Sequence, residues 1–333
     1  MPRTSTARIY RGTPRNLAML ARRLQAGEIV AVPTETVYGL AANAFDAAAC
    51  GKIFAAKGRP ASDPLIVHIH DHRDLARVAE ANAAAQKLAR KFWPGPLTLV
   101  LPKNRAVPAV VSAGRSSVAV RMPAHPLFRR LLRLAGTPLA APSANPFGYI
   151  SPTTAGHVQQ GLGNRIRHIL DGGAARIGLE STIVDLRDPQ KPRLLRPGAI
   201  TLATLEKALG RKFVTVRPAV HLAKKSAGLL APGMLPRHYS PRTPLTLHER
   251  LAGAEVRGAR EACLLIAKPV HRRRPKHVFW LDPRGDLRGA ARRLFATLRR
   301  LDDGRFERIH VELAQGGGLA DAINDRLQRA ATR

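Results

Sequence analysis

The sequence predicts an α/β protein of two domains, a large twisted sheet over residues 1–205 and a small parallel sheet over residues 243–333. Three observations carry that expectation. The chain has 333 residues, which at roughly 150 residues per domain makes about two domains. Up to residue 205, short apolar runs alternate with segments of helical periodicity, the pattern of strands and helices layered on one core. Residues 206–242 break that pattern with basic residues and a Pro- and Gly-rich stretch from Ala231 to Pro244, after which the alternation resumes.

The first helix is expected over 14–26, with Thr13 as N-cap, Pro14 at the first position, Leu17, Leu20 and Leu24 on one face, and Gly27 as terminator. Apolar runs then predict strands at Ile29–Val32, Leu65–Ile69, Leu97–Leu101, Val118–Met122, Leu139–Ala141, Ile183–Leu186 and Leu194–Arg196. Helical patterns lie at Ala47–Ala56, Ala83–Phe92 and Leu202–Leu209. We read 206–242 as a linker whose Leu229, Leu230, Met234, Leu235 and Tyr239 would be wasted in solvent, and hence as a lid across the first domain. Beyond it, strands at Leu245–Leu247, Ala262–Ala267, Val278–Leu281 and Arg308–Leu313 and helices at Leu287–Leu301 and Leu319–Ala331 predict a small Rossmann-like unit.

Composition narrows the function. With 45% hydrophobic and 23% charged residues the chain buries ordinary cores. No apolar run approaches the ~18 residues of a membrane span. Two cysteines, Cys50 and Cys263, make no secreted disulfide framework, so a cytoplasmic location is expected. The Arg-rich first 26 residues have the composition of a transit segment but run straight into a helix the fold needs. The net charge of +32 points to a polyanionic partner; it is distributed as +17 over 1–205, +7 over 206–242 and +8 over 243–333, so no single face is singled out.

Neither a GxxxxGK[ST] loop nor a GxGxxG turn is present, so any nucleotide is held by another design. Gly316, Gly317 and Gly318 before the last helix read as a turn more readily than as an anion cradle. In the run His68, His70, His72 the first two share a strand face, no further ligand completes a metal site, and one histidine facing a pocket is the better reading. Lys57 and Arg59, two apart on a loop, suit a polyphosphate. Ser143 and Asn145, two apart after a strand and braced by prolines, offer rigid hydrogen-bonding groups.

Taken in order, VPTETVYGLAA at 32–42, KGRP at 57–60 with PLIVHI at 64–69, WPGPLTLVL at 93–101, VAVRMPAHP at 118–126, APSAN at 141–145, GLESTIVDL at 178–186 and RPGAI at 196–200 resemble the YrdC-like family. PGMLPRHYSP at 232–241 and GLADAINDRL at 318–327 are similar to its two-domain form. The resemblance implies a YrdC-like twisted mixed sheet followed by the Rossmann-like domain, and an L-threonylcarbamoyladenylate synthase that makes its product and pyrophosphate from L-threonine, bicarbonate and ATP for tRNA modification. It implies that Thr36, His68, Arg121, Ser143 and Ser181 hold threonine. Lys57, Arg59, Asp63, Ser117, Asn145, Thr153, Arg196 and Tyr239 are implied to hold ATP, with Lys57 and Arg59 catalytic and Mg2+ arriving on the nucleotide. The carboxylate of Asp63 sits uneasily beside phosphates unless Mg2+ intervenes. A tRNA or a tRNA-modification complex is the expected macromolecular contact. The rival is a non-catalytic RNA-binding protein, which would have no use for Thr36, His68, Arg121 and Ser181 together.

Overall fold

The computed structural model describes residues 6–215, 229–231, 233, 238–251, 258, 260–269 and 277–332. Met234 and Leu235 of the expected lid lie outside these residues. The chain opens with strand β1 (Arg8–Arg11) and helix α1 (Pro14–Gln25), which Thr13 caps through its side chain. Strands β2 (Val30–Val32) and β3 (Gly39–Asn43) follow, then α2 (Ala47–Lys57), β4 (Ile66–His68), the short α3 (Leu75–Val78), α4 (Ala83–Phe92) and β5 (Leu97–Pro102). Next come α5 (Ala109–Ser112), β6 (Ser117–Arg121), α6 (Pro126–Ala135), β7 (Leu139–Ala140), α7 (Ala155–Leu162), β8 (His168–Asp171), β9 (Thr182–Asp185), β10 (Arg193–Arg196), α8 (Leu202–Leu209) and β11 (Val214–Thr215).

These eleven strands form one mixed sheet in the order β1-β8-β2-β3-β7-β4-β6-β5-β9-β10-β11. Helices such as α2 and α4 cover one face and α1 and α6 the other, giving two apolar layers, one around Ile53, Leu88 and Val120 and one around Leu20, Leu24 and Leu131. The Arg-rich start is part of this sheet, because β1 pairs in parallel with β8. Eight elements differ from expectation by being present at all: β1, β3, β8, β11, α3, α5, α6 and α7. The sequence of β3, GLAAN, has no β-branched residue, and only pairing with β2 and β7 makes it a strand.

The second sheet holds β12 (Leu245–His248), β13 (Glu261–Ala267), β14 (Val278–Asp282) and β15 (Arg308–Glu312), all parallel in the order β12-β15-β13-β14. Helices α9 (Leu287–Asp303) and α10 (Leu319–Ala331) pack on it. Gly318 begins α10 at φ 71° and its amide already donates to Asp321, so the triple glycine is a turn into the helix. The core of this unit is continuous with the first domain, since Val37, Ile150, Leu179 and Tyr239 join Leu294, Phe295 and Ile323 in one buried cluster.

Candidate active site

Strand register builds the site. His68 at the end of β4 sits opposite Arg121 at the end of β6, and Arg121 in turn faces Thr98 of β5. Ser181, just before β9, joins its hydroxyl to that of Thr98 at 2.7 Å. Arg196 closes β10 and donates to both the carbonyl (3.1 Å) and the hydroxyl (3.2 Å) of Ser181. On the other side Gly39 bridges Ser143, and a Cβ there would stand 3.3 Å from that of Ala141, so glycine permits the approach.

The result is a pocket of about 40 Å³ whose lining includes Thr36, His68, Arg121, Ser143 and Ser181, the five residues anticipated for threonine. Arg59, Arg196 and Tyr239 from the nucleotide set share the lining, which Glu180 and His238 complete. Lys57, Asp63, Ser117, Asn145 and Thr153 stand outside it. Lys57 lies behind Ser143, donating from Nζ to the carbonyls of Ser143 (2.6 Å) and Asn145 (2.5 Å). The Asn145 amide braces its own loop through Pro146 and Tyr149, leaving Oδ1 buried with no partner among the described residues. The Ser117 hydroxyl is likewise unpartnered, while Thr153 meets His157 at 3.2 Å.

Electrostatics favour an anion. Lys57, Arg59, Arg121 and Arg196 are all buried. Burial, then the neighbouring Arg59, pushes the Lys57 ammonium well below its usual range. Burial also lowers Arg59 and Arg196. Asp63, fully buried, lies 2.9 Å from the Arg59 guanidinium, yet neither of its oxygens has an aligned hydrogen-bond donor, so charge alone holds the pair. Burial pushes the Asp63 carboxyl up, and the Arg59 guanidinium opposes that shift. Burial, then Arg121, pushes His68 down to about 3, so its imidazole is neutral at physiological pH, one nitrogen donating and the other accepting.

Three charged residues in or behind the pocket wall escape the sequence reading. Glu35 accepts from Arg121 Nη2 at 2.5 Å and from the Ala124 amide at 3.1 Å. Glu180 accepts from Ser151 at 2.5 Å and from Arg326 at 2.9 Å. The signal for both glutamates was a carboxylate set among hydroxyls, PTET and GLEST, in so basic a chain. For Arg326 it was a cation on the apolar stripe of α10.

The segment after α8 returns to this pocket. Ala231 is buried against Ile66, Val100 and Ile183, the Leu229 amide donates to the Ser62 carbonyl, and His238 and Tyr239 enter the lining. Tyr239 holds φ 64°, stacks on Phe295 at 5.5 Å, and burial pushes its phenol up to about 12.

Residues 22–198 match the Sua5/YciO/YrdC family described as "Telomere recombination", and residues 200–332 match "Threonylcarbamoyl-AMP synthase, C-terminal domain". A threonylcarbamoyl-AMP synthase of Pyrococcus abyssi is 43% identical over 320 residues, 92% of this chain and 91% of its own length. One of Bacillus subtilis is 40% identical over 325 residues, covering 95% and 92%. The chain belongs to the two-domain threonylcarbamoyl-AMP synthase family. The crystal structure of P. abyssi Sua5 complexed with L-threonine superposes on this family member with a TM-score of 0.88 at 39% identity, covering 98% of each chain. Both sheets of the synthase fold are therefore shared with a solved relative.

Proposed function

We propose that the chain makes L-threonylcarbamoyl-AMP and pyrophosphate from L-threonine, bicarbonate and ATP. The observation that carries this reading is a pocket with two chemically distinct halves. Arg121, Thr36 and neutral His68 offer the guanidinium, hydroxyl and imidazole that an amino acid's carboxylate and hydroxyl require. Arg59 and Arg196, backed by Lys57, supply buried positive charge for a triphosphate. Threonine's amine adds to CO2 from bicarbonate, the carbamate oxygen attacks the α-phosphorus, and pyrophosphate leaves. The protein forms no bond to the reactants, so positioning and charge stabilisation carry the rate.

Mg2+ enters as part of the nucleotide substrate. Asp63 already faces Arg59, Glu35 faces Arg121 and Glu180 faces Arg326, and among the described residues no cluster of three metal-ligating side chains exists. The folded-back His238 and Tyr239 exclude water from a mixed anhydride that hydrolyses readily. The product's use in tRNA modification makes tRNA or its modifying complex the macromolecular partner and the cytoplasm the site of action, in keeping with the charge of +32; among the described residues no helix is long and apolar enough to cross a membrane. The test is pyrophosphate release. It is expected only when ATP, bicarbonate and threonine are all present, and release without threonine would refute the reading.

A further inference from the structure

We propose that Arg326 of the C-terminal domain is a positioning residue for the active site, through which α10 holds Glu180 and Tyr239 in the pocket wall; this rests on the function proposed above. The side chain of Arg326 is completely buried, and it crosses the domain boundary. Its Nε donates to Glu180 Oε2 at 2.9 Å, and Nη1 donates to the Pro197 carbonyl at 2.9 Å and to Asp325 at 2.7 Å. Its guanidinium carbon stands 5.5 Å from the centre of the Tyr239 ring. The other oxygen of Glu180 accepts from Ser151 at 2.5 Å, so both carboxylate oxygens are pinned.

A purely structural role explains this poorly. Burying a guanidinium is expensive, and replacing buried ion pairs by apolar packing is often neutral or stabilising. The same helix buries Ala320, Ala322, Ile323, Leu327 and Ala330 together with a second cation, Arg329, which bonds Asp325 within the helix, whereas Arg326 alone reaches across to Glu180. What the cation adds is orientation. Glu180 immediately precedes Ser181, whose carbonyl and hydroxyl both accept from Arg196. Fixing Glu180 therefore fixes Arg196 through Ser181, the member of the threonine set on the boundary with the nucleotide half, and with the Tyr239 ring it orients that half of the pocket. The threonine half is braced separately, by Glu35 on Arg121.

That division predicts a split. In the full-length chain, Arg326→Met is expected to raise the KM for ATP by about tenfold or more, the loss from one charge-assisted contact. The KM for threonine should rise much less, because Arg121 and His68 are held without Arg326, and Arg326→Lys, which keeps the charge but loses the planar fork that reaches Glu180, Pro197 and Asp325 together, should recover only part of the loss. Pyrophosphate release with each substrate varied in turn, alongside thermal unfolding, reads all of this. An Arg326→Met protein with the wild-type melting temperature and wild-type KM for ATP overturns the proposal, as does an equal rise in both KM values. If Arg326→Met does not fold, Ser151→Ala, on the other oxygen of Glu180, decides: a selective rise in the KM for ATP supports the proposal and none overturns it. A wild-type chain that releases no pyrophosphate refutes the function itself, an outcome separate from any result on these variants.

Discussion

Arg121 Nη2 donates to the carboxylate of Glu35 at 2.5 Å, so the guanidinium expected to hold threonine's carboxylate is already held by one of the protein's own. Its Nε bonds the Gly95 carbonyl and its Nη1 the Thr36 hydroxyl, which leaves one N–H on each terminal nitrogen for a ligand. Glu35 thus fixes the direction of the fork and Arg121 makes the contact.

Arg121→Ala is accordingly expected to raise the KM for threonine by at least about tenfold and that for ATP by much less, since a charge-assisted hydrogen bond contributes ~1.5–3 kcal/mol. Glu35→Gln, whose amide oxygen can still accept from Arg121, should cost less than Arg121→Ala. Steady-state kinetics with each substrate varied reads both, and an unchanged threonine KM in Arg121→Ala would assign the carboxylate to another cation.

Lys57 links nucleotide binding to pH. Burial and Arg59 disfavour its charged form, and a triphosphate nearby favours it, so its pKa rises when ATP binds. Between the depressed pKa of the free site and the higher pKa of the complex, ATP binding takes up a proton and weakens as pH rises. Calorimetric titration in two buffers of different ionisation enthalpy should show proton uptake that Lys57→Met removes. Equal uptake in the two proteins would place the proton elsewhere.

Asp63 is the counter-charge nearest Arg59, at 2.9 Å. Asp63→Asn keeps the shape and removes the charge, leaving buried cations uncompensated, a loss of about 3–5 kcal/mol when one partner of a buried pair is removed. The melting temperature should fall, and ATP should restore more of it in the variant than it adds to the wild type, because the ligand brings the missing negative charge. A variant as stable as wild type would mean that Lys57 and Arg59 are balanced without Asp63.

How much of this was legible depended on whether the cause was local. Thr13 and Pro14 announce α1, and the β-branched runs announce β4, β6 and β9, because capping and strand propensity act within a few residues. The short β3 and β8 exist only through their neighbours in the sheet. In the site, residues in distinctive strings such as APSAN and KGRP were visible, whereas spacing said only that one histidine of His68, His70 and His72 faces a pocket, and the family resemblance picked His68. The pairings Glu35–Arg121 and Glu180–Arg326 span 86 and 146 residues, and no local pattern specifies a contact at such range.

The backbones of the two domains approach closely over one glycine. Gly178 adopts φ 82°, and a Cβ there would lie 2.5 Å from the Arg292 Cα and 2.6 Å from the Ala291 carbonyl oxygen, both on the backbone of α9. Backbone cannot swing aside as a side chain can, so Gly178→Ala forces α9 away from the loop that leads to Glu180 and Ser181. The left-handed conformation adds about 1–2 kcal/mol of its own for any L side chain. Arg299, Tyr149 and Asp302 would remain as contacts, since the Arg299 guanidinium lies 4.9 Å over the Tyr149 ring and the Tyr149 hydroxyl donates to Asp302 at 2.7 Å. The expected outcome is a folded protein whose two domains no longer share the cluster around Leu179 and Phe295. Differential scanning calorimetry should then resolve two unfolding transitions where the wild type gives one. A single transition at the wild-type temperature would show that α9 can retreat without cost, and that the tight approach at Gly178 does not hold the domains together.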